Sequence, residues 1–304
     1  MVNMKNSKKR LNKISSQVRE WSEGLLKNPG EWITDYLSGN EKISLAAMDL
    51  YDLGMSEIGK SLPLAIKGAH HDAFSHMAHA FRRLAIADML GIRSKSGTGR
   101  FIIGNPDTVT HTMLGAIATG QPELVPIFHQ TIFDGIAGGY GMRDGHHIPL
   151  GTTLRYAAFG LTIIGDWLGK PLDLDKHALP RDPAWGQLVA HWREPDPEKF
   201  LPVILAACDT HVERIALTEK EDDSGHFEFG SVFLAVHPTE ILAVLRLRDM
   251  LGLPNPAYID HPLMQTPYAA ITCLPGDVTE RDELLENFLA VVRQRDPQVL
   301  PISI

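Results

Sequence analysis

Apolar residues recur along this chain at intervals of three and four, while segments that alternate apolar and polar positions are few and short. The spacing predicts an all-α protein of about ten helices, packed as an irregular bundle or an array of helical hairpins. Over residues 41–60 the stripe is Ile43, Ala46, Leu50 and Leu53, which leaves Asp49, Asp52 and Glu57 off it. Pro63 is placed to open the next helix, where a missing N–H costs nothing, and Gly91 to close it after Leu90. Further helices are predicted over 106–119, 123–136, 152–168, 183–192, 197–218, 238–251 and 279–295. Gly120, Gly169 and Gly252 fall where a left-handed closing residue is wanted, and Asp277 to Glu280 has the order of a capping box.

Lysine, serine and glycine mark 93–100 as a linker, and 138–151 and 217–227 have linker composition too. A boundary there would separate an N-terminal helical region, 1–95, from a C-terminal one, 96–304, although all the helices could share one core. No period of fixed length recurs, so a regular solenoid is not expected.

Charge changes the picture most. The 304 residues carry a formal net charge of −8, which repels nucleic acid and anionic membranes and favours a basic partner. Between Leu172 and Asp223, twelve acidic residues stand against six basic ones. Such a run is either an ordinary solvated face or a surface that steers and docks a basic protein. Cys208 and Cys273 lack any ligand spacing, so no zinc site is indicated, and two isolated cysteines fit a reducing compartment. The N-terminus lacks the apolar core of a signal peptide, and the most apolar run, 156–164, is far below the roughly 20 residues that span a bilayer. A cytoplasmic protein is expected, with neither membrane nor direct nucleic-acid contact.

Candidate chemistry is sparse. On one helix, His70 points with the apolar face of Phe74, Met77, Phe81 and Leu84, while Asp72, His76, His79 and Arg83 gather opposite. Asp72, His76 and His79 could bind a metal with a ligand such as His146 or His147, which is the alternative of a metal-dependent helical hydrolase; the plainer reading is an Asp–His–Arg hydrogen-bonding chain. The glycine-rich stretch 138–147, with Arg143, lacks the order of a phosphate loop, and no nucleophile elbow occurs. No cofactor is expected. A helical adaptor without inhibitory activity is a third possibility.

One stretch carries a resemblance. Ala206-Ala-Cys-Asp-Thr-His211, an acidic linker, Phe227-Glu-Phe-Gly-Ser-Val-Phe233, Pro238-Thr-Glu-Ile241 and Asp260-His261-Pro262-Leu263 follow in an order that resembles bacterial polymorphic-toxin immunity proteins of the PoNi type. The region 106–192 is similar in style to TsiT-like immunity proteins encoded beside type VI secretion effectors. Leu263 and Met264 stand where that family usually has aromatics after its His-Pro. The resemblance implies a cytoplasmic protein that binds one toxin, most often a nuclease, and blocks its active site. The candidate toxin-binding residues are then Asp173, Asp175, Glu194, Glu219, Glu221, Asp222 and Asp223, with Trp185 and Trp192 as aromatic anchors. Glu240, His237 and His261 are assigned structural roles, since each histidine precedes a proline and a glutamate suits a helix N-terminus.

Overall fold

Proline at first turns, acidic or hydroxyl caps and left-handed glycines divide the chain into helices. The computed structural model describes residues 4–25, 30–95, 105–137, 153–272 and 281–301. The α-helices are α1 (Met4–Ser15), α2 (Val18–Leu25), α3 (Glu31–Leu37), α4 (Ile43–Ile66), α5 (His70–Lys95), α6 (Pro106–Ala118), α7 (Val125–Ala137), α8 (Arg155–Trp167), α9 (Pro183–His191), α10 (Pro197–Glu213), α11 (Glu219–Asp222), α12 (Val232–Val236), α13 (Thr239–Met250) and α14 (Glu283–Arg295). Short 3-10 turns complete the set, and the one β-bridge among the described residues joins Ile215 and Phe229. The all-α prediction holds.

The chain forms two compact units, each assembled from three stretches: Met1–Glu20, Pro106–Ala118 and Gly151–Thr272 in the first, Trp21–Asn105, Thr119–Leu150 and Cys273–Ile304 in the second. They interleave along the sequence, so no single boundary between 95 and 105 separates them. In the first unit α6 packs against α8 and α13, α8 against α9, and α9 against α10. Helix α1 lies on α10 and α12, burying Leu11 and Ile14. Arg10 of α1 donates to the carbonyls of Val212 and Ile215, a cation at the C-terminal end of α10 where the last carbonyls need donors. In the second unit α4 and α5 form a long hairpin, with α3 on α4, α7 on α5 and α14 on α3.

Several predicted boundaries move. Pro63 does not open a helix: it lies in the last turn of α4, and the break falls at Gly68, whose φ of 76° supplies the left-handed turn before α5 begins at His70. Gly91 does not end α5, which runs on to Lys95 with Arg93 donating to the carbonyls of Gln298, Val299 and Leu300. Gly120, Gly169 and Gly252 have the positive φ expected of closing residues. Asp49 and Glu57, placed off the apolar stripe of α4, are buried, because that helix is covered by both α3 and α5. The segment 217–227 is no open linker but holds α11. The 138–151 stretch, with Arg143, His146 and His147, the capping box at 277–280 and Cys273 lie outside the described residues. The observed cap of α14 is Asp282, which accepts from the Leu285 amide.

Candidate functional site

The acidic segment between α10 and α12 is a knuckle with a built base. After α10 the chain leaves at Arg214 and returns at Phe229: the Phe229 amide donates to the Arg214 carbonyl at 3.2 Å, and the Ala216 amide to the Phe229 carbonyl at 3.0 Å. Thr218 caps the single turn of α11 by accepting from the Glu221 amide, and the Glu221 carboxylate accepts from the Leu217 amide at 2.7 Å. Glu219, Asp222 and Asp223 are left exposed at the tip.

Beneath the knuckle lies a charged cluster. The Arg214 guanidinium donates to both Asp182 and Glu228, and Arg155 lies 3.2 Å from Glu228 while donating to the His226 carbonyl at 2.7 Å. Burial pushes the Asp182 carboxyl up, but Arg214, the Ala184 amide and Arg155 together hold it below the ordinary carboxylate range. Asp182 is also the N-cap of α9, so one carboxylate ties α9 to the foot of the knuckle. These are charge-assisted bonds in a half-buried setting, where screening is weaker than at the surface.

Behind this base runs a buried polar array. His211 and Glu240, both without solvent exposure, meet at 2.7 Å between Nδ1 and Oε1. His211 Nε2 faces the Ala235 carbonyl at 3.1 Å, which can only accept, so Nε2 carries a proton and Nδ1 shares one with Glu240. Tyr156 donates to the other Glu240 oxygen at 3.4 Å, and Phe229 stacks on His211 with centroids 4.0 Å apart. His237 donates through Nε2 to the Ile271 carbonyl, and its Nδ1 lies 2.7 Å from the Thr239 hydroxyl. Burial depresses its pKa to about 4, and burial depresses that of His111, which lies edge-on to Phe233, to about 3. His261 accepts at Nδ1 from the Leu263 amide and donates through Nε2 to Asp209. Apart from Asp209 these groups are sealed from solvent or nearly so, and their geometry is that of structural pairing.

The predicted site residues separate into three sets. Glu219, Asp222 and Asp223 share the exposed tip, whereas Glu221 is engaged in its own cap. Asp173, Asp175 and Glu194 lie on the same unit but have local partners: Asp173 accepts from the Asp175 and Lys176 amides, Asp175 pairs with Arg181 through two bonds, and Glu194 accepts from the Asp196 amide. Trp185 and Trp192 are not surface anchors. They are 1% and 3% exposed, Trp185 stacked on Phe159 at 4.6 Å and Trp192 donating to Asp166, because each turns inward from the α9 segment toward α8.

The proposed metal trio does not converge either. His76 Nδ1 lies 2.6 Å from Glu57 of α4, Arg83 bridges Glu57 and Asp282 from beneath, and Asp72 is exposed at the start of α5. The hydrogen-bonding chain is thus His76–Glu57–Arg83–Asp282, without Asp72, and although burial pushes the other way, His76, Lys60 and Arg83 hold Glu57 down to a pKa of about 2. His70 is exposed and does not join the apolar face of α5. Among the described residues, no group of three or more His, Cys, Asp or Glu side chains is placed to hold a metal ion.

Sequence reasoning missed Arg155, Arg214 and Glu228, whose partners lie far apart in the chain. It also missed His211 as a core residue, although Ile204, Cys208 and His211 keep the spacing of one buried helical face. No helix among the described residues is long and apolar enough to cross a membrane. No protein-family model, curated protein or solved structure matches the chain.

Proposed function

We propose that the protein is an immunity protein of bacterial competition: it binds a cognate toxin delivered by a type VI secretion system, in the cytoplasm of the cell it protects, and occludes the toxin's active site. The toxin is a nuclease in this reading, and inhibition is stoichiometric, with no chemistry by the inhibitor. The observation that supports it is the knuckle. Glu219, Asp222 and Asp223 stand exposed on a one-turn helix whose foot is clamped by Arg214, Asp182, Glu228 and Arg155. A groove that binds phosphates is lined by cations, and carboxylates carried on a turn held at its base can occupy it with less ordering of the backbone on binding.

The test pairs capture with rescue. The full chain, used as bait in lysate of its own source, retains a basic protein that arrests growth when expressed alone and does not when the chain is co-expressed. Reversing the tip with Glu219→Lys, Asp222→Lys and Asp223→Lys weakens that complex at least ~10-fold and abolishes protection. Capture of no growth-arresting partner, or full protection by the reversed variant, sinks the proposal.

A further inference from the structure

Next to the foot of the knuckle, within the same unit, a pocket of about 340 Å3 opens between α8, α9 and the chain that joins them. Its walls are Ala158, Phe159, Leu174, Trp185, Gly186 and Val189, an apolar lining, and Arg155, Arg181 and Asp182 stand at its rim. Both rim guanidiniums are already matched: Arg181 by Asp175 through bonds of 2.6 and 2.8 Å, Arg155 by Glu228 and the His226 carbonyl. The pocket therefore offers no unmatched cation to an anionic ligand. These bonds and those of Arg214 match the carboxylates of Asp175, Asp182 and Glu228, so the negative charge left over beside the rim is that of Asp173 and of the knuckle tip. Asp173 adds a further carboxylate beside Arg181, and Arg155, through His226, connects the rim directly to the acidic turn that carries Glu219, Asp222 and Asp223.

We infer that this pocket receives a single apolar side chain, aliphatic or aromatic, from a basic protein segment whose flanking lysines or arginines meet Asp173 and the exposed carboxylates of the knuckle. The inference rests on the proposed docking of a basic partner and places its apolar anchor. Protein inhibitors bind through a few desolvated anchors set in pockets, with charge supplying steering and register. Here Trp185 and Phe159 form the floor that receives the partner's anchor, in place of being anchors themselves.

Gly186 gives a clean way to close the pocket. It lies inside α9 with an ordinary helical backbone, and a β-carbon placed on it meets no heavy atom within 4 Å. Gly186→Leu therefore projects a side chain from a β-carbon that clashes with nothing into the space of the pocket, and it favours the helix. The probe is a dye-labelled peptide, Lys-Lys-Gly-Phe-Gly-Lys-Lys, compared with its twin carrying alanine in the centre, titrated with the full chain and followed by fluorescence anisotropy. The phenylalanine peptide binds the wild-type chain at least ~5-fold more tightly than the alanine peptide; Gly186→Leu removes that difference while leaving the salt-sensitive binding both peptides share. Val189→Phe, a second filler, does the same. Equal affinity of the two peptides for the wild-type chain overturns the inference, as does a preference that survives in both filled variants. The peptide result stands apart from the toxin test: a chain that captures no toxin but prefers the phenylalanine peptide loses the proposed function and keeps the pocket.

Discussion

At the scale of single residues, the core of the first unit is sensitive to acid because of histidines that are buried neutral. His237 and His111 have pKa values depressed to about 4 and about 3, in both cases chiefly by burial, with His211 adding to the depression and Glu240 opposing it at His237. In the unfolded chain each titrates near 6.5. Above that value neither state binds the proton and the histidines contribute no pH dependence. Below it the unfolded chain takes up protons that the native fold refuses, so stability falls as pH drops from 6.5 through about 4 for His237 and about 3 for His111. Each refused proton is worth about 1.4 kcal/mol per pH unit, so the pair together approach twice the slope of a single group near pH 5. Urea denaturation at a series of pH values should show a flat region above 7 and this decline below it. His237→Gln, whose amide can still accept from Thr239 and donate to Ile271, should reduce the slope by one proton; an unchanged slope would contradict the assignment. The structural role of His237 was legible from the proline that follows it, but its burial and that of His111 were not, because burial of a histidine depends on which helices cover it. The carboxylates of 219–223 were legible as a charge run, but the roles of Glu221 as a cap and of Trp185 as a floor depend on tertiary partners.

At the scale of elements, the helices themselves were readable because periodicity and a proline at the N-terminal end agree over 106–118, 183–191, 197–213 and 239–250, with a closing glycine, Gly120 or Gly252, after the first and last of them. The errors at Pro63 and Gly91 have one origin: a proline in a last turn and a glycine in a helix interior are tolerated when packing on either side holds the backbone, and local propensity cannot register that. Helix α1 escaped notice because its lysines mask the spacing of Leu11 and Ile14. Contact between helices makes the role of a glycine depend on what faces it. Gly160 on α8 looks directly into α6, where an added β-carbon would lie 2.4 Å from Thr110 Cγ2 and 3.0 Å from Leu114 Cδ1. Gly160→Ala gains about 1 kcal/mol in helix propensity and loses about 1–3 kcal/mol to overpacking, so it should destabilise the protein by up to about 2 kcal/mol. Gly186→Ala, with open space, keeps the gain. Opposite shifts of the two urea midpoints are expected, and a stabilised Gly160→Ala protein would mean that α6 and α8 are not packed this closely.

At the scale of the whole molecule, the order of segments decides what can fold alone. A cut after residue 95, the position that composition suggests, would leave α1 on one fragment and α10, whose end it caps through Arg10, on the other. The same cut parts Arg83 from Asp282, a pair joined by bonds of 2.6 and 2.9 Å and buried on both sides. Arg83 would keep Glu57 but lose the carboxylate that receives its fork, and removing one partner of a buried ion pair typically costs about 3–5 kcal/mol. That is a large share of the roughly 5–15 kcal/mol that holds a domain together. Fragment 1–95 should therefore lack cooperative unfolding. Fragment 96–304 should fare little better: it retains α6, α8–α10 and α13, yet it loses the face of α1 that covers α10 and α12. Expressed together, the two fragments should restore one assembly with a sharp melting transition near that of the intact chain. Circular dichroism melts of each fragment and of the pair decide the matter. A sharp, native-like transition for 96–304 alone would show that the first unit is complete without α1, and would restore the simple division between 95 and 96 that interleaved segments argue against.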